Sequence, residues 1–144
     1  MDTADEGGHN EVILVVEDAE TIRKMVCAML RQAGYRCLDA SDGEEALGLV
    51  ERAPDSIDLV LTDVVMPRMG GPELARRLAS VRPDLRVVFM SGYCEDPIVR
   101  TIELSPSIFL AKPFTAAALM GKVRETLDHP WPGLPQVNIG VGSQ

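Results

Sequence analysis

The sequence predicts an α/β fold, a doubly wound parallel sheet of five strands with helices on both faces. Three observations carry this reading. Short continuous apolar runs, of which Val12 to Val16 is the clearest, have the composition of strands buried on both faces. Stretches with one-sided helical spacing lie between them, so strand and helix alternate from residue 12 to residue 127. The chain has 144 residues, a length that one core can stabilise. A five-stranded sheet of this type fits the flavodoxin-like order 2-1-3-4-5, with right-handed crossovers.

The elements follow in order. Strand β1 is Val12 to Val16. Helix α1 carries Ile22, Met25, Val26, Met29, Leu30 and Ala33 on one face and stops at Gly34. Strand β2 runs from Tyr35 to Ala40. Ser41 to Glu44 has capping-box spacing and opens α2, which extends to about Ala53 before Pro54. Strand β3 is Ile57 to Thr62. A loop from Pro67 to Pro72 holds Gly70 and Gly71, and Pro72 suits the first turn of α3, which reaches about Val81. Strand β4 is Arg86 to Met90, and a short, weakly patterned α4 covers Asp96 to Leu104. Strand β5 is Ile108 to Ala111, and Thr115 caps α5, with Leu119, Val123 and Leu127 on its inner face.

Residues 1–10 read as a flexible leader, 11–127 as the folded domain, and 128–144 as a Pro/Gly-rich tail or linker. Trp131 in that tail is a candidate to pack back on the domain. Lys and Arg number 14 against 22 Asp and Glu, a net charge of −8 that would repel phosphate backbones and argues against nucleic acid as a partner. No apolar run reaches the ~20 residues needed to cross a bilayer, and no signal peptide is visible, so membrane insertion is not expected and a cytoplasmic location is. Cys27, Cys37 and Cys94 lack CxxC spacing and read as reduced thiols.

In a doubly wound sheet, ligands bind at the carboxyl ends of the strands. Glu17 and Asp18 follow β1, Asp63 follows β3, Ser91 and Gly92 follow β4, and Lys112 and Pro113 follow β5. The site is thus expected to hold three carboxylates, one hydroxyl and one ammonium. At an effective dielectric of ~20, two carboxylates 4 Å apart repel by roughly 4 kcal/mol, which a divalent cation offsets. Oxygen-only ligands favour Mg²⁺, which also bridges to phosphate. A lysine suits a phosphoryl oxygen, and a carboxylate can itself be a phosphoryl acceptor. Taken singly, each residue has a plainer reading as a helix-end charge, a turn or a solvated lysine; their joint placement on one edge is what points to phosphoryl transfer onto Asp63.

These residues resemble the receiver domain of two-component response regulators over about residues 11–127. The segments VILVVEDAE, TDVVMPRMGGPEL, VVFMSGY and FLAKPF carry the resemblance, and they look particularly like receivers of hybrid sensor histidine kinases. The resemblance implies that Asp63 is the phosphoacceptor, that Asp18 ligates Mg²⁺ directly, and that Glu17 does so mainly through water. It implies a backbone carbonyl ligand at Val65, phosphoryl contacts from Ser91 and Lys112, a switch aromatic at Phe109, and a cis Lys112–Pro113 bond. The expected donor is a sensor histidine kinase or a histidine phosphotransfer protein, docking around α1. The expected output surface is α4–β5–α5, through which a homodimer could form. Such a domain is a signalling phosphoacceptor that catalyses only its own phosphoryl transfer and dephosphorylation.

Two positions depart from the usual pattern. Val65 is apolar where a polar side chain often positions the attacking water, which implies slow self-dephosphorylation. Phe109 stands where Tyr is frequent and lacks the hydroxyl hydrogen bond. The alternatives fit less well. A phosphorylation-silent pseudo-receiver, acting only as a protein-binding module, would normally lack Asp18, Asp63 or Lys112. A flavodoxin-type FMN site needs a phosphate cradle after β1, where this chain has Glu17-Asp18-Ala19-Glu20, and an aspartate-nucleophile phosphatase needs a different acid spacing there.

Overall fold

The computed structural model describes residues 10–92 and 108–134. Its sheet has the order β2-β1-β3-β4-β5, and every neighbouring pair is parallel. The strands are β1 (Val12–Val16), β2 (Arg36–Ala40), β3 (Leu59–Asp63), β4 (Arg86–Ser91) and β5 (Phe109–Ala111). Helices α1 (Glu20–Gln32), α2 (Gly43–Arg52), α3 (Gly71–Val81) and α5 (Ala116–Asp128) connect or follow them, with a 3₁₀ turn at Pro54–Ser56. The expected α4, together with Cys94, lies outside the described residues.

Strand alternation divides the core into two layers. Leu14, Val16, Val60, Val87 and Phe89 face Ala46 and Val50 of α2 and Leu74, Ala75 and Leu78 of α3. Ile13, Val15, Leu59, Leu61, Val88, Met90 and Leu110 face Val26, Cys27 and Leu30 of α1 and Leu119 and Val123 of α5. Covering both faces is why β1 and β3 carry uninterrupted apolar runs. Each fully buried Leu or Ile stabilises the fold by ~1.5–3 kcal/mol relative to exposure. The end of α5 and the chain just beyond it are tied to the sheet. Arg86 at the start of β4 donates to the Thr126 carbonyl at 2.8 Å and to the His129 carbonyl at 2.6 Å, while Trp131 and Leu134 pack on the α2–α3 layer.

Several boundaries differ from the sequence reading. Met25 belongs to the expected core stripe of α1, yet it is 47% exposed, and Cys27 is buried instead at 3%. At ~100° per residue, a stripe centred on Val26 and Leu30 turns Met25 outward and Cys27 inward. Met29 is half-buried against the same layer. The capping arrangement of α2 sits one residue later than the Ser41–Glu44 spacing suggests: Asp42 is the N-cap and accepts from the Glu45 N–H at 2.8 Å. The Glu45 carboxylate reaches back to the Ser41 N–H at 2.9 Å. Strand β3 begins at Leu59 rather than Ile57, because the 3₁₀ turn precedes it and Asp58 is used to bracket Val12. The Asp58 carboxylate accepts from the Val12 N–H at 2.8 Å, and its own N–H donates to the Val12 carbonyl at 2.9 Å. In α5, Thr115 caps as expected, accepting from the Ala118 N–H at 3.0 Å, but Thr126 is buried and Leu127 only half-buried.

The shifted cap makes a distinct prediction. Asp42→Ala is expected to cost about 1 kcal/mol of stability, as loss of an N-cap does. Ser41→Ala is expected to cost well under half as much. Urea unfolding of both variants tests the assignment, and a larger loss at Ser41 than at Asp42 would overturn it.

Candidate functional site

The carboxyl edge of the sheet gathers the residues that end β1, β3, β4 and β5. Glu17 prolongs the pairing of β1 with β2, its N–H donating to the Ala40 carbonyl at 3.1 Å. This draws its side chain inward, and only 2% of the residue is exposed. A buried carboxylate requires partners. Glu17 Oε2 accepts from the Ala19 N–H at 3.1 Å, and Oε1 pairs with Lys112 Nζ at 2.8 Å. Asp18, next in the chain, is exposed.

Asp63 is the last residue of β3, the central strand of the sheet. Its Oδ1 accepts from the Val64 N–H at 3.0 Å and lies 3.4 Å from Lys112 Nζ. Glu17, Asp18 and Asp63 each offer one carboxylate oxygen, and these oxygens lie within 4.8 Å of one another. Lys112 immediately follows β5, anchored by its N–H to the Ser91 carbonyl at 2.9 Å, and the Lys112–Pro113 bond is cis. One ammonium thus serves two carboxylates from different strands.

Burial pushes the Asp63 carboxyl up, the Glu17 charge pushes it further, and Lys112 only partly offsets them, leaving it at about 6. Burial draws the Lys112 ammonium down, but the hydrogen bond to Glu17 and the Asp63 charge outweigh that and hold it above its ordinary value. The two shifts describe one arrangement, in which acids outnumber the base.

The other expected residues sit around this core. Ser91 is buried at the end of β4, with its hydroxyl donating to the Gly92 carbonyl at 2.9 Å rather than to Asp63. Val65 is 58% exposed in the loop after β3. Phe109 opens β5 beside Phe89 and packs, half-buried, against the α2–α3 layer.

Two residues that shape the site are not among the site residues expected from the sequence. Arg23 donates to the Glu17 carbonyl at 3.0 Å and to Asp39 Oδ2 at 2.9 Å, tying the turn that bears the acidic pair to the end of β2. The signal was a cation one turn into α1, beside the apolar stripe. Gly71 lies directly behind Asp63: a Cβ there would run into the Asp63 carbonyl oxygen and come within 3.1 Å of Val64 Cα. Its absence of a side chain lets α3 start against the end of β3.

The raised Asp63 carboxyl has a consequence for stability. An unfolded Asp titrates near ~3.9, whereas Asp63 in the fold titrates at about 6. Between those values the folded state holds a proton that the unfolded chain has lost, so stability falls as pH rises through this window. In metal-free buffer, Asp63→Asn is expected to remove that fall and to be more stable than wild type at neutral pH by ~2–3 kcal/mol. Denaturant unfolding across pH 4–8 measures both, and an unchanged pH slope in the variant would contradict the arrangement.

Comparison with known proteins places this geometry. The family model of the response regulator receiver domain matches residues 13–124. Sporulation initiation phosphotransferase F of Bacillus subtilis is 34% identical over 119 residues, covering 82% of this chain and 94% of that protein. Sensor kinase CckA of Brucella abortus is 38% identical over 117 residues, covering 81% of this chain but only 12% of that protein. Among solved structures, the receiver domain from hybrid histidine kinase CckA aligns with a TM-score of 0.65 and 31% identity, covering 81% of this chain and 98% of that one. A receiver domain protein from Clostridium thermocellum aligns with a TM-score of 0.73 and 27% identity, covering 82% and 94%. The strand order, the acidic edge and these matches agree, and the chain belongs to the response regulator receiver domains of two-component systems.

Proposed function

We propose that this receiver accepts a phosphoryl group on Asp63 from the phosphohistidine of a sensor histidine kinase or a histidine phosphotransfer protein. The observation that supports this most directly is the meeting of Glu17, Asp18 and Asp63 with Lys112 at one sheet edge. Three carboxylates against one ammonium leave an excess of negative charge, and an all-oxygen donor set of this kind suits Mg²⁺. Asp18 and Asp63 would hold the ion with the Val65 main-chain carbonyl, and Glu17 would act mainly through water. Bound there, Mg²⁺ would neutralise phosphoryl oxygens during transfer.

The chain's own groups do the rest. Asp63 Oδ2 has no donor among the described residues, whereas Oδ1 is engaged by Val64 and Lys112. A carboxylate oxygen of Asp63 attacks phosphorus in line; the P–O bond forms as the P–N bond to the donor imidazole breaks, and the imidazole leaves with the electron pair. Lys112, already charged at this edge, stabilises the equatorial oxygens. The Ser91 hydroxyl then exchanges its Gly92 carbonyl for a phosphoryl oxygen, and Phe109 follows, altering the surface of β5, α5 and the expected α4. That surface is also the proposed site of homodimerisation. Met25, exposed on α1, offers an apolar contact to the phosphodonor.

No helix among the described residues is long and apolar enough to cross a membrane. Retention of Asp18, Asp63 and Lys112 together is what a phosphorylation-silent binding module would not need.

Acetyl phosphate with Mg²⁺, followed by intact mass measurement, tests the proposal. Wild type is expected to gain one phosphoryl group, Asp63→Asn none, and a chelator to suppress the gain. After donor removal, Val65→Asn is expected to lose the group faster than wild type, because it restores a hydrogen-bonding group beside Asp63. An undiminished adduct in Asp63→Asn, or none in wild type, would overturn phosphorylation at Asp63.

A further inference from the structure

We propose that Cys27 and Cys37 form an oxidisable dithiol, closed to an intramolecular disulfide by a peroxide and reopened by a thiol reductant. Cys27 lies on the inner face of α1 and Cys37 on β2, with their sulfur atoms 2.8 Å apart and both thiols free. A disulfide spans ~2.05 Å, so bond formation asks the sulfurs to approach by less than ~1 Å. The surrounding layer holds them in place: Val26 and Leu30 flank Cys27 on α1, and Ile13 pairs with Cys37 across the sheet. The residues that resemble receivers leave these two cysteines unused, so the proposal stands apart from the phosphorylation site.

Access comes from the position of β2. Among the described residues it is an edge strand, paired only with β1, and Asp39, which shares a face of the strand with Cys37, is exposed. Cys37 itself is 8% exposed, against 3% for Cys27. The two thiols lie within hydrogen-bond reach of one another, so a thiolate formed at either is stabilised by the other's S–H. That contact holds the Cys27 thiol below its ordinary value despite burial. Arg31 secures the strand by donating to the Cys37 carbonyl at 3.0 Å.

The chemistry balances with hydrogen peroxide as oxidant. One sulfur of the pair, as thiolate, attacks one peroxide oxygen, the S–O bond forms as the O–O bond breaks, and the departing hydroxide takes up a proton to leave as water. The resulting sulfenic sulfur is attacked by the second thiol, which gives up its proton; the S–S bond forms, the S–O bond breaks, and a second water leaves. The two thiols lose two electrons and two protons in total, and the peroxide gains them. The product ties α1 to the edge strand.

The test uses the full chain, as wild type and as Cys94→Ser, which leaves only Cys27 and Cys37 as thiols. After peroxide, intact mass is expected to fall by two hydrogens, and a non-reducing peptide map to show the Cys27 and Cys37 peptides joined. Dithiothreitol should restore both, and the thermal midpoint should rise on oxidation and return on reduction. Retention of two alkylatable thiols after unfolding, stepwise gain of oxygen without the link, or a link only between chains would overturn the proposal. The wild-type peptide map decides the question even if a serine variant folds poorly.

Discussion

Lys112 holds two acids that would otherwise drive each other apart. Its ammonium lies 2.8 Å from a carboxylate oxygen of Glu17 and 3.4 Å from one of Asp63. Removing it would leave Glu17, 2% exposed, as a buried charge without a counter-ion. Such a loss typically costs ~3–5 kcal/mol, far more than the pair contributes over a well-packed apolar substitute. The pairing therefore serves arrangement more than stability. It brings the ends of β1, β3 and β5 to one point and keeps Asp63 poised between neutral and charged forms.

The sheet makes that meeting possible. In the order β2-β1-β3-β4-β5, strands β1 and β3 are neighbours, so residues after them fall side by side although the chain separates them widely. Lys112 comes from the far edge strand and spans β4 with its long side chain. Close packing behind the site fixes the remaining freedom. Gly71 admits the start of α3 against the Asp63 backbone, and Arg23 pins the Glu17 carbonyl from the other side. The acids are thus held by backbone geometry, and their repulsion is met by charge rather than relieved by movement.

Much of this was legible in the sequence. The apolar runs of β1 and β3 and the turn residues between elements carried the fold, and the strand ends carried Glu17, Asp18, Asp63, Ser91 and Lys112. What the sequence could not convey depends on three-dimensional neighbours. Met25 and Cys27 both sit within reach of the helical stripe, and only the angle at which α1 meets the sheet decides which is buried. Ser41 and Asp42 are both competent caps, and the choice rests on Glu45 reaching back. Arg23 and Gly71 act through contacts with residues that spacing does not reveal, and the same is true of the contact between Cys27 and Cys37, ten residues apart on different elements.

The central claim is that burial, the neighbouring carboxylates of Glu17 and Asp18, and the opposing ammonium of Lys112 set the protonation of Asp63. Carbon-detected NMR of the side-chain carboxyl groups, titrated in metal-free buffer in wild type and Lys112→Met, tests it directly. Asp63 is expected to titrate at about 6 in wild type and higher in the variant, where its one cationic neighbour among the described residues is gone. Saturating Mg²⁺ should move the wild-type value sharply down. An Asp63 that titrates in the ordinary carboxylate range in both proteins, and ignores the metal, would contradict the account.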